Sequence, residues 1–143
     1  MSKIKCFLQP YAQPKCASAA LLLVRLVAGI AMILHGWGKI QAPFSWMGPD
    51  APVPGILQFL AALSEFGGGI ALIFGLLTSL AMLGLAITMA VAVYTHAIVK
   101  GDPFVGQGGS YELASIYLVL AVMFIVVGPG KFALDNKIFG NKA

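Results

Sequence analysis

Charge is scarce in this chain: Asp, Glu, Lys and Arg make up 10% of its 143 residues, against 59% hydrophobic ones. Soluble domains carry about 25% charged residues, and a mean hydropathy of +0.92 excludes an ordinary soluble fold. Cysteine is nearly absent. Cys6 and Cys16 do not form a Cys-x-x-Cys pair, which excludes iron–sulfur ligation and argues against a membrane dithiol enzyme; both are expected to be free thiols. No paired histidines suit a haem at bundle depth. Phosphate loops are missing too: Gly67-Gly68-Gly69 has no Lys-Ser/Thr after it, and Lys39 lies outside a Gly-x4-Gly-Lys-Ser/Thr frame. The chain is read as one membrane domain, 1–143, with no room for a soluble catalytic domain.

What is present is four apolar stretches of about bilayer length, at about 17–37, 56–77, 79–99 and 111–127. The expected fold is an all-α integral membrane four-helix bundle. Arg25 interrupts the first stretch and no small-x-small cleavage site follows, so it reads as a retained span rather than a signal peptide. Pro43, Pro49, Pro52 and Pro54 exclude a continuous helix between spans one and two. Gly75 to Ser79 leaves room only for a tight turn between spans two and three. A glycine-rich loop, Lys100 to Ser110, precedes span four, which Gly128-Pro129-Gly130 stops. A short amphipathic tail, Lys131 to Phe139, is expected to lie on the cytoplasmic face.

The net charge of +4 does not indicate nucleic acid, because the lysines flank the spans. Lys3, Lys5 and Lys15 precede the first, and Lys131, Lys137 and Lys142 follow the last. This positive-inside pattern predicts a multi-pass protein of the inner (plasma) membrane with both termini cytoplasmic. The bilayer is its first partner, and the lysines are expected to touch anionic lipid.

A charge at the centre of a spanning helix costs roughly 2.5–3.5 kcal/mol on insertion scales, so Arg25, Glu65 and Glu112 call for partners. At ~1.5 Å per residue, Arg25 lies roughly 18 Å below the outer end of span one and Glu65 roughly 14 Å below that of span two. Similar depth predicts an Arg25–Glu65 pair, either a structural pin or a working site. Spacing of three, four and seven from Glu65 collects Gln58, Ala61, Ala62, Gly68, Gly69 and Leu72, a small and polar stripe. The same rule collects Ala28, Gly29 and Met32 around Arg25. His35, His96, Glu112 and Lys39 map to the outer mouth. Two histidines and a carboxylate suit a metal by ligand type, but no ligand spacing within one helix supports such a site.

Arg25 and Gly29, Gly36 and Lys39, Glu65-Phe66-Gly67-Gly68-Gly69 and Gly75-Leu76-Leu77-Thr78, with His96, Glu112 and Gly128-Pro129-Gly130-Lys131-Phe132-Ala133-Leu134-Asp135, resemble the DoxX family of small membrane proteins. The resemblance runs from about Ala19 to Phe139 and marks Arg25, Lys39, Glu65, His96 and Glu112 as its polar positions. It departs at Ser79, where a basic residue is expected after Thr78. It implies a four-helix membrane bundle tied to quinone and sulfur-compound oxidoreduction. On that reading Glu65, Arg25 and His96 are the catalytic candidates, and Lys39, His35, Glu112 and Gln58 bind the cofactor, a quinone. Electrons then come from a bound quinone or a soluble redox partner. A proton-coupled carrier without redox chemistry and a membrane scaffold for a soluble partner are the alternatives, and a homo-oligomer fits any of the three.

Overall fold

Pro14 and Pro54 set the starts of two long helices, where a fixed φ is compatible with helix entry and a missing N–H costs nothing. A computed structural model describes residues 7–140. Its helices are α1 (Lys15–Gln41), α2 (Gly55–Phe74), α3 (Thr78–Tyr94), α4 (Glu112–Val127) and α5 (Leu134–Phe139). Among the described residues the chain is all-helical, without strands. A π-helical turn, Thr95–Val99, prolongs α3. The helices Lys15–Gln41, Gly55–Phe74 and Thr78–Val99 are long and apolar enough to cross a membrane; α4 is apolar but shorter, at 16 residues. Cys16 is free and exposed; Cys6, Lys3, Lys5 and Lys142 lie outside the described residues.

Two boundaries differ from the sequence reading, and both matter. Helix α1 runs four residues past Trp37, to Gln41, because Gly38 does not break a helix that apolar packing supports. Helix α2 ends at Phe74 because Gly75 takes the left-handed conformation, φ 61°. The Gly75 N–H bonds the Leu72 carbonyl at 3.1 Å and the Leu76 N–H bonds that of Ala71 at 2.9 Å, a Schellman closure.

The buried faces follow the small-residue stripes. On α1 they include Arg25, Ala28, Gly29, Met32 and Gly36, and on α2 Gln58, Ala62, Glu65, Gly68, Gly69 and Leu72. With no hydrophobic drive between helices in lipid, close backbone approach supplies the contact. A Cβ on Gly36 would stand 2.6 Å from the Phe66 nitrogen, and one on Gly69 would stand 2.8 Å from the Gly29 carbonyl oxygen. Ser64 and Thr88 share a hydroxyl hydrogen bond of 2.7 Å between α2 and α3. Met82, Leu85, Met89, Tyr117, Ala121 and Phe124 fill the core between α3 and α4. Leu23, Val27, Ile30 and Leu34 form the exposed apolar face of α1, suited to lipid.

This packing makes a paired prediction. Gly36→Ala pushes α1 off α2 and is expected to destabilise by about 1–3 kcal/mol, the usual penalty for overpacking. Gly38→Ala, two residues on, has nothing within 4 Å of the new Cβ and is expected to stabilise by about 0.5–1 kcal/mol. Thermal unfolding of the two variants in one detergent should therefore shift in opposite directions.

Candidate functional site

The antiparallel register of α1 on α2 decides which charges meet. Gly36 lies against Phe66 and Gly29 against Gly69 and Ile73, so Lys39 reaches the level of Glu65 while Arg25 sits beyond Leu72. The expected Arg25–Glu65 pair does not form. Trp37 and Ile56 do not mark one surface: α1 continues to Gln41, and the 42–54 segment covers the start of α2.

Glu65 is paired with Lys39 instead. The Lys39 Nζ donates to both carboxylate oxygens, at 2.6 and 2.7 Å. Glu65 is 3% exposed and Lys39 28%. The same ammonium stands 4.7 Å from the centre of the Trp46 ring, a cation–π distance. Gln58 holds that ring's segment in place. Its carbonyl accepts from the Trp46 indole at 2.9 Å, its side-chain oxygen accepts from the Met47 N–H at 3.0 Å, and its amide donates to the Val53 carbonyl at 2.9 Å. Phe44 stacks on Phe59 at 5.2 Å. Gln58 therefore builds the roof over the pair and is not among the cavity residues.

Beneath that roof is a cavity of ≈ 190 Å³, lined by Met32, His35, Lys39, Glu65, Met89, Ala92, His96, Ser110, Leu113, Ala114 and Tyr117. All four long helices contribute to it. Four of the seven residues singled out from the sequence, Glu65, Lys39, His35 and His96, thus share one cavity; Arg25, Gln58 and Glu112 do not line it. Apart from Ser110 and the Tyr117 hydroxyl, the rest of the wall is apolar. His35 is exposed on the α1–α4 side and meets the Tyr117 ring edge-on at 6.4 Å. The His96 Nδ1 is 2.6 Å from an Asp102 carboxylate oxygen, and the Asp102 N–H donates to the His96 carbonyl at 2.9 Å. This clasp folds the glycine-rich loop back over the π turn and fixes the imidazole by one nitrogen. Glu112 stands in the first turn of α4, where a carboxylate complements the helix dipole. Among the described residues no group of three or more His, Cys, Asp or Glu could hold a metal ion.

Tyr117 and Asp102 escaped the sequence reading. Tyr117 carried a signal, as the one tyrosine in the body of span four rather than at its end. Asp102 carried none, since its closeness to His96 depends on how the loop folds.

Arg25 belongs to a second polar centre at the opposite end. It is 1% exposed and donates to four carbonyls: Nε to Leu72 at 2.8 Å, Nη2 to Ile73 at 2.6 Å, and Nη1 to Pro129 at 3.1 Å and Phe132 at 2.9 Å. It thereby closes the carboxyl end of α2, which favours a cation, and ties it to the chain after α4. Asp135 closes the start of α3 in the opposite sense. Its carboxylate accepts from Leu77 N–H at 2.6 Å and Thr78 N–H at 2.8 Å, and its own N–H donates to the Gly75 carbonyl at 2.9 Å. Asn136 donates to the Gly130 carbonyl. The tail does lie at the surface, with Lys131, Phe132, Lys137 and Ile138 exposed, but it is pinned to the α2–α3 turn through Asp135, which is 1% exposed.

Long apolar helices with a buried ion pair at a small cavity define a polytopic-type helical membrane protein with a polar chamber at one end. The chain belongs to the DoxX family, whose model matches residues 20–97. It is 36% identical over 121 residues to a Haemophilus influenzae protein described as uncharacterized, covering 83% of this chain and 90% of that one. It is 31% identical over 130 residues to the Escherichia coli inner membrane protein YqjF, covering 85% and 94%. A Bacillus subtilis protein named "Putative oxidoreductase CatD" is 27% identical over 124 residues, covering 85% and 88%. No solved structure matches the chain.

Proposed function

We propose that this protein is a membrane subunit of a redox system that holds a quinone-type headgroup in the chamber at Lys39–Glu65. The observation that carries the proposal is the buried ion pair, with His35, His96 and Tyr117, in one apolar-walled cavity of ≈ 190 Å³. That volume is below the roughly 300–1,000 Å³ of drug-sized pockets. It suits one ring rather than a whole lipid-soluble quinone, whose tail would leave on the α1–α4 side. The donor set fits as well: the Lys39 ammonium, the Tyr117 hydroxyl and the histidine rings offer N–H and O–H groups to carbonyl oxygens. Bound there, a quinone would supply the two-electron acceptor that the side chains themselves lack.

Glu65 then has two tasks. It holds the Lys39 ammonium at the chamber through both carboxylate oxygens, and it takes up or releases a proton beside the ligand. His96, steered by Asp102, offers the proton route toward the loops. Electrons would arrive from a soluble redox partner, and a homo-oligomer is compatible with the exposed apolar faces. In this reading all four long helices cross an inner membrane, and the lysines flanking them keep both termini in the cytoplasm. The names of the Escherichia coli and Bacillus subtilis relatives support the membrane and the chemistry respectively.

The test is extraction and mass spectrometry of small molecules from protein purified in mild detergent. Wild type is expected to carry near-stoichiometric quinone, and Glu65→Gln, still inserted and monodisperse, to lose at least about tenfold of it. An empty wild type would overturn the redox reading. Flux driven by a pH gradient and dependent on Glu65 would then identify a carrier.

A further inference from the structure

A second cavity, of ≈ 380 Å³, lies at the end of the bundle that carries residues 7–14 and α5, away from the chamber. Three of its eight lining residues are cations, Arg25, Lys131 and Lys137, and its apolar lining includes Phe74, Phe132 and Leu134. Lys131 and Lys137 are exposed, and among the described residues neither makes a salt bridge. Among the described residues, the Arg25 guanidinium donates only to carbonyls and has no carboxylate oxygen within 4 Å. Asp135, the nearby anion, spends both carboxylate oxygens on the Leu77 and Thr78 N–H groups and does not line the cavity. Asp135 still lies close enough to act on Arg25, so it is the Lys131 and Lys137 ammonium groups that are left for something else to meet. Phe74 and Phe132 are 57% and 52% exposed beside it, at the end of α2, where an apolar span gives way to a turn. Two exposed lysines around a buried arginine, beside exposed aromatic rings where a span ends, match a phosphodiester with acyl chains attached.

We propose that this cavity binds the headgroup of an anionic phospholipid, its phosphodiester held by Lys131 and Lys137 in the field of Arg25 and its acyl chains lying on Phe74 and Phe132. The charge asymmetry of the whole molecule points the same way. Among the described residues this end holds Lys15, Arg25, Lys131 and Lys137 against Asp135 alone, whereas the other end holds Asp50, Glu65, Asp102 and Glu112 against Lys39 and Lys100. Recognition at this site is independent of the chamber, because no residue lines both cavities.

Native mass spectrometry of the full chain in detergent, titrated with phosphatidylglycerol, phosphatidylcholine or glycerol 3-phosphate, tests the proposal. One phosphatidylglycerol is expected to be retained at concentrations where phosphatidylcholine and glycerol 3-phosphate are not. The double substitution Lys131→Gln/Lys137→Gln should weaken retention by about 30-fold, since each lysine close to an anionic headgroup contributes roughly fivefold. Lys131→Arg/Lys137→Arg should restore it, which separates lost charge from lost fold. The matched double substitution Lys15→Gln/Lys100→Gln, outside the cavity, should leave it unchanged. Equal retention of phosphatidylcholine, equal loss in the two Gln doubles, or glycerol 3-phosphate binding as tightly as the lipid would each overturn the proposal. The last would leave a site for free phosphate esters.

Discussion

Arg25→Gln is expected to cost the protein its fold, not merely a step of its chemistry. The guanidinium serves four carbonyls from two separate segments, Leu72 and Ile73 at the end of α2 and Pro129 and Phe132 after α4. Hydrogen bonds to a charged donor contribute about 1.5–3 kcal/mol each, and a buried acceptor left bare costs about 1–3 kcal/mol. The four are not additive, because one rigid fork makes them all, yet the loss should exceed the ~4–5 kcal/mol that marks an exceptional single substitution. Glutamine can donate to at most two of them. Lysine keeps the charge but is a point donor without the planar fork, so Arg25→Lys should fall between. Fluorescence-detected size exclusion of the three proteins gives the check: Arg25→Gln is expected to be aggregated or absent from the membrane fraction. A monodisperse Arg25→Gln melting with wild type would show that the four carbonyls are satisfied without it.

That expectation divides the polar positions by task. Arg25 and Asp135 form a clamp on the α2–α3 turn, each placed where the helix dipole favours its sign. Lys39, Glu65, His35, His96 and Tyr117 surround a space. The buried charge that costs most to insert is thus given to architecture at one end, and the pair with room beside it stands at the other.

Much of this was legible before any coordinates. Periodicity around Glu65 selected Gln58, Ala61, Ala62, Gly68, Gly69 and Leu72, of which all but the half-buried Ala61 are buried, because small and polar residues on an apolar helix pack best against a neighbouring helix. The turn at Gly75 followed from spacing alone. Pairing between the charges was not legible, because it depends on the register of α1 against α2. Gly36 meeting Phe66 sets that register, and a shift of about four helical turns exchanges Lys39 for Arg25 as the partner of Glu65. The roles of Gln58 and Asp102 depend on irregular segments whose paths no helical period describes. The burial of Asp135 was hidden for a related reason: an amphipathic tail looks the same whether it lies on a surface or folds into a turn.

Within the chamber, the two halves of the ion pair should respond unequally to removal. Removing one partner of a buried pair costs about 3–5 kcal/mol, because the other is left charged in a poor solvent. Here the partners are buried to different degrees, Glu65 at 3% exposed and Lys39 at 28%. Lys39→Met strands the carboxylate, which has nowhere to go and must either remain an uncompensated charge or hold a proton. Glu65→Gln strands an ammonium on a long flexible stem, already against the Trp46 ring at 4.7 Å and able to reach more polar surroundings. Lys39→Met is therefore expected to destabilise by about 3 kcal/mol and Glu65→Gln by roughly a third of that. The double variant should regain most of the loss, since it leaves no charge behind. Thermal or denaturant unfolding of the four proteins in one detergent completes the cycle. Equal losses in the two single variants, or a double variant as unstable as Lys39→Met, would mean that the carboxylate is solvated by something other than Lys39. The same asymmetry bears on the chamber: the Lys39 stem, 28% exposed, has room to turn away from Glu65, whereas the 3%-exposed carboxylate does not.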